Sequence, residues 1–189
     1  MRRKAIQGSA VSEMGQASVP FPCELPNSAL LRKYQEEGAY ADCYVVEVAG
    51  SITHAAFVEA FYTTALFKVE RAILYGFAGR PSTDLQAREL AEGRAESFAA
   101  WRVEGRSPDQ LLLADFTGRT RSWLMVAGAG DAAGEPRTRL FFGSAVVPRI
   151  DAKTGESSMG GGFRALLGFH RFYSRQLLKA ARSRVLDGR

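Results

Sequence analysis

The chain has 189 residues, 46% hydrophobic and 11% aromatic, with a net charge of +5. That length suits one domain with a sizeable core, and the composition excludes a low-complexity or disordered chain. No uncharged apolar run reaches the roughly 18 residues a spanning helix needs, so no integral membrane association is expected.

The start, MRRKAIQGSAVSEMGQ, is basic but has no continuous apolar stretch behind it, so it does not read as a secretory signal. A cytoplasmic home follows as the expectation. Residues 1–27 are polar, rich in small residues and broken by Pro20, Pro22 and Pro26. They read as a flexible leader that orders near PFPCELP, ahead of a single domain over 28–189. Cys23 and Cys43 are the two cysteines, with no CxxC or Cys/His spacing for zinc, and a reduced pair is expected.

Asn27 and Ser28 can start a short turn or helix through Tyr34. YADCYVVEVA, Tyr40 to Ala49, clusters β-branched and aromatic residues before a Gly-Ser break and reads as the first strand. Thr53 is a plausible N-cap for helical spacing that begins at His54. The double Thr at 63–64 divides that region, and two helices over 54–63 and 65–76 are predicted. Ser82 or Thr83 can cap a third helix, DLQARELAEG, closed by Gly93.

The period then changes. SFAAWRVE, QLLLADF, RTRSWLMVAG and TRLFFGSAVVP read as four strands joined by turns, which argues for antiparallel pairing. In RTRSWLMV both faces are greasy. Either the outer face is an oligomer interface, as in a homodimer, or the leader folds across it. A Gly/Ser loop, GESSMGGG, precedes a final helix over 163–186. The order gives an α+β fold: a curved antiparallel sheet gripping a long C-terminal helix, with two short helices after the first strand.

On the wheel of that last helix, Arg164, Arg171, Arg175, Lys179 and Arg182 form one stripe, and Leu166, His170, Tyr173, Leu177 and Ala181 lie nearly opposite. His170 is therefore expected to point inward, either satisfied by a protein partner or lining a cavity. From Phe163 to Arg189 there are seven Arg or Lys and one acid, Asp187. The basic stripe reads as a solvated face. It carries no outward aromatics and no reader motif, so no nucleic-acid partner is expected. There is no GxSxG elbow and no P-loop, and the glycines at 160–162 read as a hinge. His54 and His170 are the only histidines, and nothing brings acids to them for a metal. Asp115 and Glu104 read as exposed charges near hairpin ends, although Asp115 could serve His170 in acid–base chemistry.

The succession YVVEVA, FVEAFYTTALFKVERAIL, AAWRVEGRSPDQLLLADFTGRTRSWLMVA, TRLFFGSAVVP and LLGFHRFYSRQLLKAA, over about residues 40–182, resembles the START-like (SRPBCC, or polyketide-cyclase-like) helix-grip superfamily. Within it, the W-R-V-E, R-S-W-L and L-L-G-F-H-R-F-Y segments are similar to a bacterial group of unknown function, sometimes fused to dinucleotide-binding reductase domains. The resemblance implies a small apolar or amphipathic ligand between sheet and helix; no cofactor is expected. The residues it implies around that ligand are His170, Tyr173, Leu166, Arg121, Trp123, Phe142 and Trp101. It implies as alternatives a cyclase, dehydratase or hydrolase using His170, or an interaction module with a filled core.

Overall fold

A computed structural model describes residues 19–78, 82–130, 134–150, 157–158 and 163–188, with the side chains of 73–78, 149–150, 157–158 and 163–167 outside the description. The element order is β1 (Phe21–Pro22), α1 (Arg32–Glu36), β2 (Tyr40–Ala49), α2 (His54–Tyr62), α3 (Ala65–Ala78), α4 (Asp84–Ala91), β3 (Ser97–Phe98), β4 (Trp101–Ser107), β5 (Gln110–Asp115), β6 (Thr120–Gly130), β7 (Pro136–Val146), β8 (Arg149–Ile150), β9 (Ser157–Ser158) and α5 (Phe163–Asp187). The fold is α+β. Seven strands make one open antiparallel sheet in the order β1-β2-β7-β6-β5-β4-β3, and α5 packs against one face.

The helix boundaries follow from side-chain chemistry. Thr53 caps α2 by accepting from the Ala56 amide at 3.2 Å. The double Thr then does two jobs. Thr63 Oγ1 donates to the Glu59 carbonyl at the end of α2, and Thr64 Oγ1 accepts the Phe67 amide at the start of α3. Thr83 and Gln86 form a reciprocal capping box on α4.

SFAAWRVE is not the single strand its composition suggests. Phe98 pairs with Trp101, so Ala99 and Ala100 turn the chain between β3 and β4. Ala99 takes φ 51°, the left-handed region such a tight hairpin needs, without the Gly or Asn that would announce it. The PFPCELP segment, where the leader is expected to order, joins the sheet. Phe21 and Pro22 pair with Val45 and Tyr44 of β2, and Leu25 is buried. Proline is tolerated there because β1 is an edge strand. Residues 1–18 lie outside the described residues.

Strand alternation sends Tyr44, Val46, Leu111, Leu113, Leu124, Leu140 and Phe142 to the face covered by α2, α4 and α5. The opposite face carries Val45, Leu112, Trp123, Met125 and Phe141, and the chain's own Leu25, Ala29, Leu31 and Tyr34 cover it. Buried Gln110 fastens that cover. Its Oε1 accepts from the Leu30 amide at 3.0 Å and from Trp123 Nε1 at 2.9 Å, while its Nε2 donates to the Ser28 carbonyl at 3.0 Å. Three bonds on one buried amide leave little of its capacity unsatisfied. The greasy outer face is thus covered by the chain's own residues 25–34, most of which lie past the expected leader. Gly143 is required where the layers meet: a Cβ there would lie 2.8 Å from the Asp42 carbonyl oxygen and 3.0 Å from Trp123.

Candidate functional site

Between α3, α5 and the inner face of β4, β6 and β7 lies a cleft of about 570 Å³. Its size falls in the range of small-molecule sites. Phe61, Phe67, Phe142 and Leu177 form its greasy wall, with Phe61 and Phe142 rings 4.8 Å apart. At its rim Phe169 and Phe172 remain 64% and 61% exposed, so apolar surface continues outward from the mouth. A hollow of about 650 Å³ between the ends of α2 and α5 is larger, but it is bordered by Thr63, Ser183 and Arg184 and gathers no buried carboxyl or imidazole. The chemistry lies in the smaller cleft.

Two polar pairs interrupt the apolar wall, both built on α5. In the first, His170 Nε2 lies 2.6 Å from Ser144 Oγ of β7. Register puts Ser144 opposite Asp42 of β2, whose Oδ1 accepts the Ser144 hydroxyl at 2.7 Å and its amide at 3.2 Å. The hydroxyl's one proton goes to Asp42, so Ser144 accepts from His170 and the imidazole carries its proton on Nε2. Asp42 Oδ2 is also 3.6 Å from that same nitrogen. In a nucleophilic triad the acid holds the other ring nitrogen and the serine gives its proton to the base. This trio is therefore a fixed polar anchor, not an activated serine.

In the second pair, Tyr173, one turn along α5, donates its hydroxyl to Glu70 Oε2 of α3 at 2.6 Å. Burial pushes the Glu70 carboxyl above the usual carboxylate range; the Tyr173 hydroxyl and the nearby His170 pull it part of the way back. Burial and the Glu70 charge push the Tyr173 hydroxyl above its ordinary value. Two further polar atoms near the wall, Trp101 Nε1 and Ser174 Oγ, are buried with no partner among the described residues.

Of the residues expected around a ligand, His170, Tyr173, Phe142 and Trp101 meet at this cleft. The Leu166 side chain lies outside the described residues. Trp123 is elsewhere: alternation along β6 sends it through the sheet to the outer core, where it is fully buried. Arg121 shares that face. It touches the edge of the cleft, but its guanidinium is committed to Glu104 at 2.6 Å, to Tyr34 Oη at 2.8 Å and to the Gly118 carbonyl at 2.6 Å. Glu104 is accordingly no exposed hairpin charge, since Lys33, Tyr34 and Arg121 converge on it. Asp115 has no part in the cleft's polar pairs, because its Oδ1 accepts the Arg119 and Thr120 amides in the β5–β6 turn.

Sequence reasoning missed Glu70, Asp42 and the bond from His170 to Ser144. Some signal existed. Glu70 follows Phe67 by three positions on α3, and Asp42 shares its strand face with Tyr44 and Val46. Among the described residues no group of three His, Cys, Asp or Glu is placed to hold a metal ion, and no helix is long and apolar enough to cross a membrane. No family model matches the chain, and no curated protein is found to be similar to it.

Proposed function

We propose that the chain is a START-like binding module that holds a small apolar or amphipathic molecule between its sheet and its C-terminal helix. The observation that carries this reading is the cleft of about 570 Å³, whose aromatic wall is broken by two polar pairs one helical turn apart. An apolar body fits the wall, and a hydroxyl or carbonyl on it can exchange hydrogen bonds with His170 or Tyr173. Native mass spectrometry of gently purified protein, joined to titration with a neutral arylnaphthylamine dye, tests it. A retained molecule or saturable dye binding at one site is expected, with binding weakened by Leu66→Trp, which pushes a larger ring in from the cleft's lining. Dye binding unaffected by that variant refutes the reading.

A second reading, an enzyme of cyclase, dehydratase or hydrolase type, draws on one observation. A carboxyl raised by burial is a candidate for acid–base work, and the Glu70 carboxyl, raised by burial, stands near His170. On that reading His170→Gln abolishes turnover of a bound substrate while dye binding and folding persist.

A further inference from the structure

We propose that Cys23 and Cys43 are a dithiol site that closes into a reversible disulfide, pinning the N-terminal segment to the sheet. The two residues face each other just past the end of β1, with sulfurs 3.0 Å apart and the Cys23 amide donating to the Cys43 carbonyl at 3.0 Å. They continue the register in which Phe21 faces Val45. Directly opposed, hydrogen-bonded residues of an antiparallel pair have Cα atoms about 5.5 Å apart. That separation lies inside the roughly 4.4–6.8 Å span of disulfides, so closure needs side-chain rotation rather than strand movement.

The two sulfurs are not equivalent. Cys43 is buried and Cys23 is half-buried. Both sulfurs sit with the outer core around Val45 and Trp123, on the sheet face away from α5, and Cys23 is the one nearer the surface. An oxidant therefore meets Cys23 first. The hydrogen bond with Cys43 holds the Cys23 thiol below its ordinary value, whereas that bond and burial push Cys43 up. Cys23 is thus the attacking thiolate.

With a low-molecular-weight disulfide such as oxidised glutathione, the Cys23 thiolate attacks one glutathione sulfur and expels the other as a thiolate. The resulting mixed disulfide removes the negative charge that kept the proton on Cys43. The Cys43 thiol then loses its proton, attacks the Cys23 sulfur and expels the second glutathione thiolate. Two protein thiols are oxidised, and one glutathione disulfide is reduced to two glutathiones. The product covalently fastens the segment that covers Trp123, which the reduced chain holds by packing and by the bonds to Gln110.

The test is exposure of the native full chain to excess oxidised glutathione, read by intact mass and by peptide mapping without reductant. The wild type is expected to lose two hydrogens, to show one Cys23–Cys43 peptide and to remain free of glutathione, with dithiothreitol reversing the change. Cys43→Ser is expected to keep one glutathione on Cys23. Oxidation should raise the wild-type Tm by roughly 5–10 °C, the scale for closing a loop of this length in a chain of this size. Wild-type protein that ends with glutathione on both thiols, or that links them only in denaturant, overturns the proposal.

Discussion

Gly143→Ala is the most direct probe of how the two layers register on each other. A Cβ at 143 would stand 2.8 Å from the Asp42 carbonyl oxygen and 3.0 Å from both Leu31 Cδ2 and Trp123 Cε3. The backbone of Gly143 is not left-handed, so the substitution introduces no backbone strain, and only space is at issue. Leu31 can rotate, but the Asp42 oxygen belongs to the β2–β7 ladder and Trp123 is fully buried and bonded to Gln110. Relief requires β2 and β7 to separate locally. Overpacking of this kind costs about 1–3 kcal/mol. Removing glycine's freedom from the unfolded chain returns about 0.4–1 kcal/mol. At the middle of both ranges the net loss is about 1.3 kcal/mol, or a Tm lowered by roughly 3–5 °C for a chain of this size. Because Asp42 also holds Ser144, the imidazole of His170 should lose its anchor in the same variant. Thermal unfolding by circular dichroism reads the first effect, and the proton spectrum of the imidazole reads the second. Gly128→Ala is the control, since a Cβ there meets nothing within 4 Å. A Gly143→Ala protein that melts with the parent refutes the packing argument.

Two further predictions concern pH. Glu70 has a carboxyl raised by burial, so on a pH rise the unfolded chain loses this proton before the folded one does. Stability is therefore withdrawn as pH climbs out of the ordinary carboxylate range and through the raised value. Glu70→Gln does not titrate and still accepts from Tyr173; denaturant unfolding should show it gaining on the parent with rising pH, and a constant difference contradicts this. His54, buried and lowered to about 4 chiefly by desolvation, works in the other sense. Its contribution is complete above an ordinary imidazole value of about 6.5 and is lost as pH falls towards about 4, on the order of 3 kcal/mol in all. His54→Gln should flatten that part of the stability profile, and an unchanged slope between those values rules the assignment out.

Local chemistry made most of the frame legible. Thr53, the double Thr and Thr83 each mark a helix boundary because a hydroxyl can serve the orphaned groups at a helix end, whatever surrounds it. The inward turn of His170 was readable from the wheel for a similar reason, since α5 keeps one period along its length. The β3–β4 hairpin was hidden because Ala99 adopts a left-handed φ that its residue type does not advertise. The places of Trp123 and Arg121 were hidden by a different ambiguity. With both faces of β6 apolar, alternation tells which residues go together but not which set meets α5. That was decided by residues 25–34 folding over the outer face, through bonds such as Leu30 to Gln110, 80 positions apart.

The Tyr173–Glu70 pair joins the site to these energetics. Its partners are 103 positions apart on helices that meet at the cleft, so no local pattern could announce it. A carboxyl within an apolar wall is a cost that one hydroxyl bond only partly offsets, as the upward push on Glu70 records. A glutamine would keep that bond without the charge, so stability alone gives no reason for a carboxyl at this position. The proposed function supplies one: a group in the wall whose proton can be shared with whatever occupies the cleft. The two demands then separate in a single variant. Glu70→Gln should be the more stable protein at neutral pH and the weaker binder of a ligand that donates to the carboxylate. A gain in both stability and such binding would leave Glu70 without a role in recognition.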